Sequence, residues 1–117
     1  MNTRDTVQGY FNSLRERGDW KAFLADEMMF TSFGTPSKQL MGRDGYVEST
    51  KRFCSMIDAL EIRDILVDGD KACVLTKYDL QPPGRPIFES NVAEICEVRD
   101  GKIMSLCIYF DSAPFPK

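Results

Sequence analysis

The apolar positions of this chain follow a helical period in its first half and a strand period in its second. Val7, Tyr10, Phe11 and Leu14 fall at i, i+3, i+4 and i+7, which predicts a helix from about Thr3 to Arg17 with one apolar face. Gly18 is expected to close it in a left-handed cap. Asp19 then caps a short second helix with Trp20, Phe23 and Leu24 on its apolar side. Glu27 to Phe33 reads as a first strand, and Gly34 to Gly42 as a loop holding Pro36. A third helix is predicted from about Asp44 to Ile57. It carries Val47, Thr50, Cys54 and Ile57 on one side, with Tyr46 and Phe53 widening that face.

Beyond this point the period is two. Ala59 to Val67, Lys71 to Gln81, Ile87 to Arg99 and Lys102 to Asp111 read as strands. The alternation slips near Asp64, which predicts a bulge. Asp68-Gly69 and Asp100-Gly101 are hairpin turns. Pro82-Pro83-Gly84-Arg85-Pro86 is too rich in proline for a ladder. Successive hairpins make these four strands an antiparallel meander, and their length predicts a bent, strongly twisted sheet.

Parity sorts the strand residues to faces. Phe88, Ser90, Val92, Glu94, Cys96 and Val98 share one side of their strand, and Glu89, Asn91, Glu97 and Arg99 share the other. Ala72, Val74, Thr76, Tyr78 and Leu80 lie together, as do Met104, Leu106, Ile108 and Phe110. Three strands therefore agree on an apolar face that is broken by Glu94 and Tyr78. A carboxylate there is costly unless paired or protonated. Burial raises its pKa, which is how active sites obtain an acid or a hydrogen-bond donor.

Composition narrows the chemistry. The 117 residues make one domain, 1–117, with a mild net charge of −3 and no basic block, so nucleic acid and membrane are not expected as partners. There is no histidine. Ser-His and Cys-His pairs and histidine metal sites are excluded, and Ser32 has no partner to make it a nucleophile. Cys54, Cys73, Cys96 and Cys107 form no C-x-x-C pair and read as reduced core thiols. With a polar start and no signal-peptide pattern, a cytoplasmic protein is expected. Neither a metal nor an organic cofactor is expected, since no ligand cluster or phosphate-binding glycine loop is present.

The order of elements, with the stretches Val7–Asp19 (VQGYFNSLRERGD), Gly42–Val47 (GRDGYV) and Val98–Asp111 (VRDGKIMSLCIYFD), resembles the nuclear transport factor 2-like superfamily. That superfamily includes ketosteroid isomerase and the SnoaL-like polyketide cyclases. The resemblance implies an α+β cone, with three N-terminal helices packed on a curved, mostly antiparallel sheet around an apolar pocket. In ketosteroid isomerase a first-helix tyrosine and a protonated late-strand acid form the oxyanion hole. Tyr10 and Glu94 fall at or near those positions. The family's basic aspartate has no counterpart, because Ser32-Phe33 stand there. Asp111 resembles an acidic position at the last strand end of SnoaL-like cyclases.

The candidate catalytic residues are therefore Glu94, Tyr10 and Asp111. In a cone the core and the pocket lining draw on one set of side chains. Trp20, Phe30, Ser32, Phe53, Tyr78 and Phe88 are thus expected to contact a ligand, as are Ser90, Leu106, Ile108 and Phe110. Two readings of Glu94 stand at this point: a pocket acid, or a structural ion pair with Arg52 or Arg43. Two functions stand as well. One is a cofactor-free isomerase, cyclase or hydratase acting on a small apolar molecule. The other is a non-catalytic ligand-binding or dimerisation module. A homodimer is expected from the apolar residues of the other sheet face, Cys73, Leu75, Ile95, Cys107 and Tyr109.

Overall fold

The structure is a computed structural model that describes residues 2–34 and 37–115. Helix α1 spans Thr3–Arg15 and buries Val7, Tyr10, Phe11 and Leu14, the stripe set by its sequence period. Asn2 caps it by accepting the Asp5 N–H at 2.8 Å. Gly9 stands mid-helix because the Phe23 ring presses on it; a Cβ there would lie 2.6 Å from Phe23 Cε1. The helix ends two residues earlier than expected. Arg17, not Gly18, takes the left-handed position at φ 59°. Gly18 N–H then reaches back to the Ser13 carbonyl at 2.7 Å, a Schellman closure. The Arg17 guanidinium holds this turn by donating to the Ile57 carbonyl at 2.8 Å.

The expected second helix is a single 3₁₀ turn, Trp20–Phe23, so the described residues hold two α-helices rather than three. Strand β1 (Leu24–Ser32) starts three residues before the predicted strand and takes Leu24 and Met28 into the core. Strand β2 (Lys38–Met41) lies inside the segment expected to be a loop; Pro36 lies outside the described residues. Helix α2 (Arg43–Met56) follows, buries Tyr46 and Val47, and leads directly into β3 (Ile57–Asp68). Strands β4 (Lys71–Leu80), β5 (Phe88–Arg99) and β6 (Lys102–Phe110) complete the chain's regular structure.

The six strands run in the order β2-β1-β6-β5-β4-β3. β3 to β6 form the antiparallel meander, while β1 joins β6 in parallel. The register of β3 slips between Ile62 and Asp64, where the alternation predicted a bulge. α1 packs across β3 to β6, and α2 against β1 and β2, which closes the sheet into a cone. Parity holds without exception on β4 and β5, with Thr76, Tyr78, Ser90 and Glu94 turned inward. On β6 it holds only from Leu106 onward. A register shift between Glu97 and Val98 pairs Val98 with Ile103 and bulges Met104 out of step. Ile103, not Met104, is therefore the buried residue.

Candidate functional site

A cavity of about 200 Å³ opens between the helices and the concave face of the sheet. Strands and helices both build it. β4 contributes Tyr78, and β5 contributes Ser90, Val92 and Glu94; β6 adds Ile108 and Phe110, while β1 adds Phe30 and Ser32. Tyr10 projects from α1, and Tyr46, Thr50 and Phe53 project from α2 at i, i+4 and i+7. The walls are aromatic. Phe53 meets Tyr78 edge-on at 5.3 Å, and Phe30 tilts against Tyr46 at 4.7 Å.

Glu94 is the one carboxylate on this lining and is only 5 % exposed. Its Oε2 accepts the Tyr78 hydroxyl at 2.7 Å and the Thr76 hydroxyl at 2.8 Å. Thr76 also lies 3.2 Å from the Val92 carbonyl, so its single proton serves two acceptors. Oε1 has no hydrogen-bond partner among the described residues. Neither arginine named as a possible partner pairs with Glu94. Arg43 turns to Asp26 at 2.9 Å, and Arg52 is exposed. With no cation beside it among the described residues, burial pushes the Glu94 carboxyl up from its ordinary 4.5 to about 7, while the two hydroxyl donors pull it partway back.

The Tyr10 and Tyr46 hydroxyls lie 2.8 Å apart. Burial raises both phenols, as it does Tyr78, so all three are neutral hydroxyls at ordinary pH. One proton lies between the Tyr10 and Tyr46 oxygens, which leaves the other able to meet a ligand. Ser90 Oγ is buried on the lining and has no hydrogen-bond partner among the described residues. Among the described residues no group of three potential metal ligands occurs.

Nine residues singled out from the sequence line the cavity: Glu94, Tyr10, Tyr78, Phe30, Ser32, Phe53, Ser90, Ile108 and Phe110. Four do not. Asp111 lies beyond β6, exposed, with its carboxylate accepting the Ala113 N–H at 3.0 Å. Trp20 sits behind the lining, edge-on to Tyr10 and Tyr46. Phe88 packs on Phe115 instead. Leu106 is fully buried in the core. Sequence reasoning missed Tyr46, Lys38 and Phe115 as lining residues. Tyr46 carried a signal, since it shares the α2 stripe with Phe53. Lys38 carried none, because its short strand is exposed or half-buried and shows no apolar period.

A sequence-family profile described as a SnoaL-like domain matches residues 7–106. Several solved structures share the fold. One from Kribbella flavida DSM 17836, named as a candidate ketosteroid isomerase, is 25% identical with a TM-score of 0.77 over 98% of this chain and 82% of its own. An NTF2-like protein of unknown function from Cytophaga hutchinsonii ATCC 33406 is 19% identical, with a TM-score of 0.78 over 97% and 94%. A hypothetical protein with a ketosteroid isomerase-like fold from Catenulispora acidiphila DSM 44928, solved in complex with trimethylamine, is 18% identical, with a TM-score of 0.78 over 93% and 87%. No curated protein matches the chain significantly.

Proposed function

The chain belongs to the SnoaL-like domain family, and from that premise we propose that it binds a small, largely apolar molecule in the cone and moves a proton to and from it through Glu94. One observation carries this reading. A buried carboxyl group with a pKa of about 7, and with no cation beside it among the described residues, leaves one oxygen without a partner among those residues in an aromatic-walled cavity. Such a group is part protonated and part ionised at neutral pH, so it serves as acid and base alike. No organic cofactor or metal is part of the proposal.

The step the geometry supports best is proton transfer at a carbon beside a carbonyl. Ionised Glu94 takes the C–H proton on Oε1. The C–H bonding pair becomes the enolate, whose oxygen is met by the spare hydroxyl proton of the Tyr10–Tyr46 pair. Glu94 then returns the proton to a different carbon, or to the same one. A single carboxylate must perform both halves, because Ser32 stands where an isomerase of this fold keeps its base. That same substitution favours the second reading, a pocket that binds without chemistry. We also propose a homodimer through the outer sheet face, where Phe33 stacks on Tyr109 at 4.6 Å beside exposed Leu75 and Ile95.

Native mass spectrometry of gently purified protein identifies what occupies the cavity. Incubating that compound with the protein in heavy water then separates the readings. Deuterium uptake at carbon with the native protein, lost in Glu94→Gln, supports proton transfer. Binding without uptake leaves the non-catalytic pocket, and an empty, non-binding cavity overturns both.

A further inference from the structure

Two polar groups of the cavity take no part in that proton transfer. Lys38 is the one lysine or arginine on the lining drawn from the described residues. It is exposed, so it marks the mouth. Its ammonium donates to the Ser49 hydroxyl at 2.7 Å, and it has no ion pair among the described residues. The other group is Ser90, 3 % exposed, whose hydroxyl has no partner. It lies directly across from Tyr78 and two same-face steps along β5 from Glu94. A buried hydroxyl without a partner is unfavourable, and a ligand in the cavity would complete it.

The charges are therefore arranged along the cavity with a cation at the mouth and an acid inside. A ligand entering this arrangement keeps any negative charge outermost and leads with an uncharged end, because an anion driven inward would meet Glu94. A lone ammonium matches one negative charge; it is a compact point charge without the fork that favours phosphate. The cavity volume of about 200 Å³ is near the roughly 150 Å³ that accepts benzene in an apolar protein cavity, so the body is about one ring. Resting on the reading of this cavity as a ligand site, we infer that its ligand is a small monocarboxylate, with the carboxylate on Lys38 at the mouth and a one-ring, otherwise apolar body inside whose single polar group meets the Ser90 hydroxyl. An amine would present the opposite polarity, passing Lys38 to reach Glu94.

Three probes of nearly equal shape decide between these: 4-hydroxyphenylacetate, 2-(4-hydroxyphenyl)ethanol and 2-(4-hydroxyphenyl)ethylamine, titrated by calorimetry or ligand-observed NMR at pH 6. 4-Hydroxyphenylacetate is expected to bind about fivefold more tightly than the alcohol with the same ring, the upper range for an exposed ion pair. Lys38→Met, an exposed position on an edge strand, should remove that preference and leave the affinity for the alcohol unchanged. Ser90→Ala should weaken 4-hydroxyphenylacetate binding, because it removes the partner of the ring hydroxyl, whether it is introduced alone or together with Lys38→Met. Tightest binding by the amine overturns the inference, as does an acid preference that survives Lys38→Met. If the alcohol binds as well as the acid, the inference fails and the ligand-site reading stands. If none of the three binds, both fail.

Discussion

Replacing Glu94 with glutamine should make this protein more stable at pH 8 and leave it nearly unchanged at pH 4. The amide oxygen keeps the Tyr78 and Thr76 donors that Oε2 now accepts, and the amide nitrogen takes the place of the unpartnered Oε1. What changes is titration. In the unfolded chain this carboxyl loses its proton near 4.5, whereas in the folded protein it holds it to about 7. Below 4.5 both states are protonated and no penalty exists. As pH rises from 4.5 to 7, the unfolded chain ionises first and stability falls; above 7 the loss is complete. The rise from 4.5 to about 7, at about 1.4 kcal/mol per pH unit, sets that loss at about 3 kcal/mol. For a domain of this length it corresponds to roughly 10 °C in melting temperature. Urea unfolding of both proteins at pH 4, 6 and 8 measures the difference directly. A hidden cationic partner would reverse the sign, since breaking a buried pair typically costs about 3–5 kcal/mol. A variant destabilised by that amount at pH 8, or a difference that does not change with pH, would refute the reasoning.

The remaining predictions concern the neighbours of Glu94, the core and the outer face. Tyr78→Phe removes one of the two donors to Oε2 and should move the Glu94 midpoint upward by about one pH unit, read from the carboxyl carbon shift in an NMR titration. A downward move would mean that Tyr78 does not donate to the ionised form. Gly9→Ala drives a methyl group against the Phe23 ring at 2.6 Å and should lower stability by about 1–3 kcal/mol, despite alanine's helical preference; a gain in thermal stability would show that the ring gives way. Ile95→Lys places a charge in the middle of the exposed apolar face. It should convert a dimer into a 13.3 kDa monomer in sedimentation equilibrium, and a native protein already monomeric at high micromolar concentration ends the dimer proposal.

Glu94 was legible from the sequence because β5 is long and its alternation unbroken. Over twelve residues a period of two leaves no ambiguity about which side chains turn inward. The same rule failed at Met104, where one bulged residue exchanged the two faces at the start of β6. β2 was invisible for a different reason. Its four residues are exposed or half-buried, so the strand is fixed by pairing with β1 and leaves no apolar period to read. Lys38 was hidden with it. Asp111 shows the limit of resemblance: the matching position exists, but the chain has left the sheet there and the carboxylate serves a local turn. The fold came from many weak periodicities that agree, and the site from one residue that disagrees with its surroundings.

That disagreement is not isolated. Ionised Glu94 lowers stability above neutral pH, the unpartnered Ser90 hydroxyl costs about 1–3 kcal/mol, and an unfilled cavity forfeits packing on every wall. Each is a defect by the standards of a core, and all three fall on the same concave surface. Elsewhere the chain follows folding rules closely: Gly9 receives Phe23, Asn2 caps its helix, and Arg17 is tied to Ile57. A fold selected for stability alone would fill this space with leucine or methionine and remove the acid, and replacements of buried charge by apolar side chains are often stabilising. One small ligand of the kind proposed would relieve all three penalties at once, by filling the volume, meeting Ser90 and sharing the Glu94 proton. The convergence of unfavourable features on one surface is therefore the physical argument that supports the proposed ligand site over an imperfectly packed core.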